Sequence, residues 1–343
     1  MGSERCRPAD GGTDAKTGGQ AVIEGVMMKS PVSTAVAVRV GDGRILARIL
    51  EMSQLRDRGP LWSRPVFRGA AVLIDTLRLG MKALNWSAGI AEESLAEAKG
   101  EARSVPEGAG RKSGGGAGTT LLAFAMALVL FAWLPLQSSR WILGASTAPS
   151  AQFLVHLLAG FFRIAAFLAY ILAISLMKDV RRLFTYHGAE HQTIHAWEGG
   201  LEPLVDRAIE QSPLHPRCGT SFLLLVMLGT VLFYGVFDAA VVLLLGISPS
   251  PVVRVAYHLP LIPLVMGLSY EVLKAADARL ESSALARVLT RPGLLLQKLT
   301  TRKAGREEIE VAVAALRLSL GIDPGPGVER VPEDGAGTEG GAA

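Results

Sequence analysis

Four long apolar runs dominate the hydropathy pattern of the chain. A hydrocarbon core about 30 Å thick is crossed by about 20 helical residues, and each run is close to that length. The pattern therefore predicts a mainly α-helical membrane protein with four transmembrane helices, over residues 119–136, 152–177, 219–237 and 252–273.

Polar residues and prolines modify three of these runs. Arg163 lies within the second run and must face protein or reach the interface, because a lipid-exposed charge is costly. Asp238 follows the third run and is predicted to mark its far interface. Pro260 and Pro263 are predicted to kink the fourth helix, since proline removes a backbone donor.

The residues before the first run have the pattern of a small α+β domain. Apolar residues alternate on both sides of Gly41-Asp42-Gly43, which is typical of a β-hairpin. After Pro65 the apolar residues have helical spacing, which predicts an amphipathic helix. We therefore expect a hairpin-plus-helix domain over residues 19–88 and a flexible, Gly-rich linker over 89–118.

The chain after the fourth run is predicted to form a helical segment over residues 274–321. A break is expected at Arg291-Pro292-Gly293, and a short amphipathic helix over 306–321 is expected to end at Gly321. The polar tails over 1–18 and 322–343 are predicted to be disordered. No internal repeat stands out, so the sequence does not indicate an inverted-repeat transporter.

Composition narrows the class of protein further. With 50% hydrophobic and 19% charged residues, and a mean hydropathy of +0.34, the chain is too apolar for an ordinary soluble enzyme. The net charge is +4, but the cations flank the apolar runs, as membrane topology requires. The expected partner is therefore the lipid bilayer and not a nucleic acid. Two cysteines cannot build a disulfide framework.

The distribution of Lys and Arg predicts the orientation. Of 35 cations, 17 precede residue 119, 5 lie within 178–218 and 10 follow residue 273. Cytoplasmic segments carry an excess of Lys and Arg. We therefore expect both termini, and the His-rich loop 178–218 of the membrane region 119–273, to lie in the cytoplasm.

The strongest chemical signal is a group of histidines in that loop. His187, Glu190 and His191 form H-x-x-E-H, and on a helix the two imidazoles at i and i+4 share one face. This order occurs in inverted zinc-peptidase motifs, in which the carboxylate acts as a general base. The spacing predicts a divalent metal site, with zinc as the expected ion, ligands His187 and His191, and Glu190 as the catalytic base. His195 lies about 12 Å along the axis from His187 and is interpreted as an outer or surface residue.

A catalytic zinc ion usually has a third protein ligand. His215 and Glu271 are the predicted candidates, because both lie near the same side of the membrane as the cluster. Cys218 and Glu24 are further candidates on that side, Glu24 only if the N-terminal domain folds back. His156 and His258 lie toward the external ends of their helices and are excluded from the site.

Simpler explanations of these residues remain open. The histidines can be a solvated helix face, Glu190 can pair with Arg181 or Arg182, and Glu271 can pair with Lys274 or an arginine. Geometry adds a condition, because a straight continuation of the second helix carries the cluster about 14 Å away from the membrane. A break near residues 186–188 is then needed to bring the ligands together.

Five separated segments resemble the bacterial DUF1385 family, also called the YqhQ-like family. The similarity extends over residues 18–321 and implies a multispanning protein of the bacterial inner membrane and a metal-dependent enzyme, without assigned catalytic residues. The segments are GGQAVIEGVMMKSP, FRGAAVLIDTLRLGMKALNWSA, YHGAEHQTIHAWE, HPRCGTSF and PGLLLQKLTTR.

Three functions follow from these patterns. The first is a metal-dependent hydrolase at the cytoplasmic membrane face. The second is a non-enzymatic scaffold or accessory subunit of a transport or envelope complex, with a protein partner or a second copy of the chain. A transporter is the third and weakest, since nothing in the sequence links Arg163 to Asp238.

Overall fold

Helices make up most of the molecule, with one small sheet. The computed structural model describes residues 17–51, 53–98, 117–144, 148–200, 202, 204–215, 219–246, 249–279 and 282–332. The strands are β1 (Gly18–Val22), β2 (Gly25–Lys29), β3 (Thr34–Arg39), β4 (Ile45–Ile49) and β5 (Val328–Arg330). The helices are α1 (Phe67–Ala98), α2 (Ala117–Leu128), α3 (Leu134–Leu143), α4 (Pro149–Ile174), α5 (Lys178–Glu198), α6 (Val205–Ile209), α7 (Gly219–Leu245), α8 (Pro251–Ala278), α9 (Ala284–Thr300) and α10 (Arg306–Ser319).

Among the described residues, four helical stretches are long and apolar enough to cross a membrane, which confirms the number of predicted spans. A π-helical turn, Val129–Trp133, joins α2 to α3 just before Pro135, so the first of these stretches is helical along its whole length. Pro260 and Pro263 lie inside α8, which continues through both. The stretches are Leu121–Leu143, Ser150–Ile174, Val226–Leu245 and Ala256–Ala276.

The predicted interfacial position of Asp238 is wrong. Helix α7 continues past Asp238 to Leu245, and the side chain of Asp238 is 1% exposed. One oxygen of this carboxylate, Oδ1, accepts hydrogen bonds from Tyr257 and His258 of α8, so the buried group is held by protein contacts between the two helices.

The sheet has the strand order β1-β2-β3-β4-β5. The predicted hairpin at Gly41–Gly43 is confirmed as β3 and β4, which pair antiparallel. A second hairpin joins β1 to β2 through Ile23 and Glu24, and Glu24 has a left-handed φ of 53°. The predicted disorder of the C-terminal tail is wrong over its first part, because β5 pairs parallel with the free edge of β4. Residues 1–16 and 333–343 lie outside the described residues.

Both faces of the sheet are covered by helices. One face packs its residues Val22, Met27, Val36 and Val38 against Leu79, Ala83 and Trp86 of α1. The other face packs against α5 and α10, whose apolar residues include Tyr186, Ile194, Ile309 and Leu316. We call β1–β5 with α1, α5, α6 and α10 the α/β domain. Its three layers could not be predicted from residues 19–88, since three of its helices, α5, α6 and α10, come from distant parts of the chain.

The α/β domain unites three segments that the membrane helices separate. They precede the first span, join the second to the third and follow the fourth, so all three lie at one end of the bundle. The chain turns at Ser175–Met177, between α4 and α5, and α5 itself is continuous. The required break therefore occurs about ten residues earlier than residues 186–188, and it lets α5 lie against the sheet.

Two further boundaries differ from the prediction. Helix α9 continues through Pro292, so the predicted break at residues 291–293 is wrong. Pro292 has no backbone N–H to donate, but the helix does not end there. Helix α1 extends to Ala98, through the first ten residues of the predicted linker. Residues 99–116 of that linker lie outside the described residues, and its last two residues begin α2.

Candidate metal centre

Helix α5 brings three of the predicted site residues together. One ligand atom from each of His187, Glu190 and His191 lies within 4.8 Å of the others. The two imidazole rings have centroids 4.5 Å apart, and His187 Nε2 lies 3.9 Å from Glu190 Oε2. This is the geometry that i, i+3 and i+4 spacing predicts for one helix face.

Backbone carbonyls determine the tautomers of both histidines. His187 Nδ1 lies 2.8 Å from the carbonyl oxygen of Thr300, and His191 Nδ1 lies 2.6 Å from that of Pro213. A carbonyl oxygen only accepts, so each Nδ1 carries the proton and each Nε2 carries a lone pair in the neutral ring. Metal-ligating histidines are oriented in this way by a hydrogen bond from their second ring nitrogen.

The two carbonyls are held by a distant helix. Gln297 of α9, which is fully buried, accepts a hydrogen bond from His215 N at 2.8 Å and donates one to His215 O at 2.7 Å. This pair of bonds fixes the segment that contains Pro213. Thr300 ends the same helix, so α9 supplies or supports both carbonyls that orient the histidines.

Glu190 is buried against the first strand. Glu190 is 5% exposed, and the backbone N–H of Gly19 faces its carboxylate. Burial raises the pKa of Glu190 to about 7, although His187 and the Gly19 N–H act in the opposite direction. A Cβ atom at residue 19 would lie 2.8 Å from Glu190 Cγ, so this close approach requires glycine.

The arginines near the start of α5 do not pair with Glu190. Arg182 binds Glu24, with Nε 2.5 Å from its carboxylate, and Arg181 Nε donates to the Ser175 carbonyl. The simpler explanation of Glu190 as an ion-pair partner of either arginine is therefore not supported. The N-terminal domain does fold back onto α5, but Glu24 lies beside Arg182 rather than in the metal group.

His215 and His195 lie next to the cluster and face other partners. His215 Nε2 lies 3.1 Å from Glu198 Oε2, and its ring centroid is 5.8 Å from that of His191. His195 Nε2 donates to the Leu214 carbonyl at 2.7 Å, which is the opposite tautomer to that of His187. Both therefore flank the three-residue group. Cys218 lies outside the described residues.

Glu271 lies apart from the histidines. It forms a two-pronged ion pair with Arg68 of α1, with Nε–Oε1 at 2.7 Å and Nη2–Oε2 at 2.6 Å. This half-buried pair joins the start of α1 to α8. Its partner is thus an arginine that precedes the first span, which is one of the two kinds of partner considered from the sequence.

Glu271→Gln is expected to lower stability without changing the metal content. Loss of one charge from a half-buried, two-pronged pair should cost about 1 kcal/mol and lower the thermal unfolding midpoint by a few degrees. Metal analysis of the purified variant measures the second part. A loss of bound metal with unchanged stability would restore Glu271 as a ligand.

The groups that sequence reasoning missed belong to the backbone. The N–H of Gly19 and the carbonyls of Pro213 and Thr300 have no signature in side-chain chemistry. The segments that carry the family resemblance did contain a signal for this site. Four of the five segments that carry the family resemblance meet here, through Gly19, the α5 cluster, His215 and Thr300.

Comparison with known proteins gives the same family. A family model described as "Protein of unknown function (DUF1385)" matches residues 64–321, which include the whole cluster. A protein of Bacillus subtilis (strain 168) called "Uncharacterized protein YqhQ" is 31% identical over 315 residues, covering 89% of this chain and 92% of that protein. No solved structure matches the chain significantly.

Proposed function

Because this chain belongs to the DUF1385 family, whose description assigns no activity, we propose a function from its own geometry. We propose a membrane-anchored hydrolase that depends on a divalent metal, with its centre at His187, Glu190 and His191. The single observation that carries the proposal is the pair of Nδ1 bonds to backbone carbonyls, which leaves two Nε2 lone pairs beside one carboxylate.

The donor set fits a zinc ion. Zinc accepts imidazole nitrogen and carboxylate oxygen, and the neutral tautomers present the atoms that it uses. His187 and His191 would hold the ion, and Glu190 would lie beside it as the base. A bound divalent ion supplies a Lewis acid at this point.

The protein's own residues supply proton transfer and orientation. In the metal-free protein the pKa of Glu190 is about 7, and we propose that this carboxylate, which lies beside both histidines, is the general base. Glu198 holds the ring of His215 beside the cluster. We propose that His215 positions substrate or completes the ligand set, because its ring lies between those of His191 and His195.

We place this centre at the cytoplasmic face of the bacterial inner membrane. The three cation-rich segments, with 17, 5 and 10 of the 35 cations, all contribute to the end of the bundle that bears the α/β domain. An excess of Lys and Arg favours the cytoplasmic side. Cysteine accessibility labelling in intact cells tests the orientation.

Metal analysis with a matched pair of variants tests the proposal. The full chain, purified without chelators, should retain about one zinc ion, and His191→Ala should bind zinc at least about tenfold more weakly. His195→Ala is the control, since it removes the same side chain from the same helix but from a ring with the opposite tautomer. It should retain the metal.

Activity completes the test. Zinc-dependent hydrolysis should be sought on a panel of chromogenic phosphate and carboxylic esters, and Glu190→Gln should abolish it. Absence of stoichiometric metal in the unmutated protein would overturn the proposal at its first step.

Burial of the cluster favours a second candidate, a non-enzymatic accessory subunit. His191 is 1% and Glu190 5% exposed, and closed sites of this kind are typical of structural metals. In that case chelation lowers the unfolding temperature, no ester is hydrolysed, and capture from native membranes returns one stoichiometric partner. Capture of the chain alone would count against this role.

A further inference from the structure

A second group of polar side chains lies inside the bundle, at the end away from the α/β domain. Asp238 Oδ1 accepts hydrogen bonds from the Tyr257 hydroxyl at 2.5 Å and from His258 Nε2 at 2.9 Å. Arg254 Nη1 lies 3.8 Å from the other oxygen, Oδ2. These contacts join the last third of α7 to the first two turns of α8.

His156 of α4 is a neutral member of this group. Arg254 Nη1 lies 2.7 Å from His156 Nε2, and Arg254 Nη2 lies 3.2 Å from Gln152 Oε1. The same nitrogen lies 3.2 Å from Asp238 Oδ2; because a guanidinium only donates, we assign the lone pair of His156 Nε2 to Arg254 and treat the ring as neutral. The single carboxylate of Asp238 is therefore opposed by the charge of Arg254.

Arg163 adds a cation that this carboxylate does not neutralise. It lies about 20 Å along α4 from Ser150 and about 16 Å from Ile174, near the middle of the span. Among the described residues its guanidinium donates from Nε to the Phe131 carbonyl at 3.2 Å, and no carboxylate oxygen lies within 4.0 Å. Besides Arg140 at the end of α3, Arg163 and Arg254 thus accompany the single carboxylate of Asp238 among the described residues of this half of the bundle, and an uncompensated charge between membrane helices is costly.

Arg163 faces a cavity of about 350 Å³ between the helices. The walls combine apolar side chains of Phe131, Met227 and Val231 with polar groups of Thr230 and Tyr234. His258 also lines the cavity and contacts Asp238 through its Nε2 atom.

Tyr234 keeps His258 on the cavity wall. The two rings stack with centroids 4.0 Å apart, and the Tyr234 hydroxyl donates to the His258 carbonyl at 2.7 Å. The cavity and His258 therefore supply the link between Arg163 and Asp238 that the sequence does not show.

We propose that this cavity binds an oxyanion, a phosphate or carboxylate group, that is attached to an apolar chain. The anion pairs with Arg163 and neutralises the excess charge, and the apolar chain lies along the lipid-facing helices. A guanidinium binds such groups through parallel N–H bonds. This site is remote from the α5 cluster and does not depend on the proposed hydrolase activity.

Lipid binding to the purified full chain tests the inference. In a neutral detergent, phosphatidylglycerol should bind at one saturable site, seen by native mass spectrometry, and phosphatidylcholine should compete poorly. Arg163→Gln should weaken phosphatidylglycerol binding at least about tenfold. Arg140→Gln, which removes the same charge at the end of α3, should change it by less than about twofold.

Two further arms keep the outcome decisive. Inorganic phosphate alone is titrated in the same assay. If it binds the unmutated chain but not Arg163→Gln, the oxyanion at this site comes from a soluble anion and not from a lipid headgroup. If Arg163→Gln does not fold, Thr230→Leu narrows the cavity without a change of charge and should also weaken binding. Equal binding by the unmutated chain and the cavity variants, or no binding of any anionic probe, would overturn the inference.

Discussion

Gly188→Ala is expected to destabilise the α/β domain strongly and to dismantle the metal centre. Gly188 lies between His187 and Glu190 on α5, and a Cβ atom there would overlap the carbonyl oxygen of Arg302. The backbone at Arg302 cannot easily move away, because its N–H donates to the Phe184 carbonyl at 3.0 Å. We expect a loss of about 3 kcal/mol or more, since the overlap is with backbone and not with a flexible side chain.

The effect reaches the metal centre through Thr300. Any shift of residues 300–302 moves the carbonyl that orients His187, so zinc affinity should fall together with stability. Thermal unfolding of the detergent-solubilised chain and metal analysis measure the two effects. Gly89→Ala in α1 is the control, because nothing lies within 4 Å of its Cβ position. It should be neutral or stabilising by about 0.5–1 kcal/mol.

A Gly188→Ala variant with unchanged stability would show that α5 and the 300–302 segment do not pack as closely as the structure has them. Loss of metal without loss of stability would instead show that the carbonyl of Thr300 moved by itself. Either result separates packing from ligand orientation.

Glu190→Gln is expected to make the metal-free protein more stable at pH 8 than the unmutated protein. The pKa of Glu190 is raised from 4.5 to about 7 by burial. Between these values the folded chain holds a proton that the unfolded chain has released, so stability falls as the pH rises through this window and is level above it. Across this window the free energy of unfolding falls by about 3 kcal/mol in total, and it does not fall in this way when glutamine replaces Glu190.

Zinc should reverse the order of stability of the unmutated chain and Glu190→Gln. A bound cation compensates the buried carboxylate, so the ion stabilises the unmutated chain more than Glu190→Gln. Unfolding midpoints from pH 5 to pH 8, with chelator and with zinc, measure both effects. Glu92→Gln, on the exposed face of α1, removes a carboxylate without burial and should show no such dependence. Parallel pH curves for the unmutated chain and Glu190→Gln would contradict the buried state of this carboxyl.

Local patterns determined much of the fold. Four apolar runs predict four spans because hydrophobic length is a property of contiguous residues. The hairpin at Gly41–Gly43 and helix α10 follow in the same way from alternation and helical spacing. The grouping of His187, Glu190 and His191 was also predictable, since one helix turn brings them together without help from the rest of the chain.

Tertiary structure alone decided what those residues can do. The tautomers of His187 and His191 depend on carbonyls that lie 113 and 22 residues away along the chain. The burial of Glu190 depends on strand β1, and Glu271 is held away from the cluster by Arg68. Asp238, Arg254 and His258 likewise acquire a role only where α7 meets α8. Sequence spacing determines which side chains share a helix face, but hydrogen bonding and desolvation come from whatever distant backbone folds against that face.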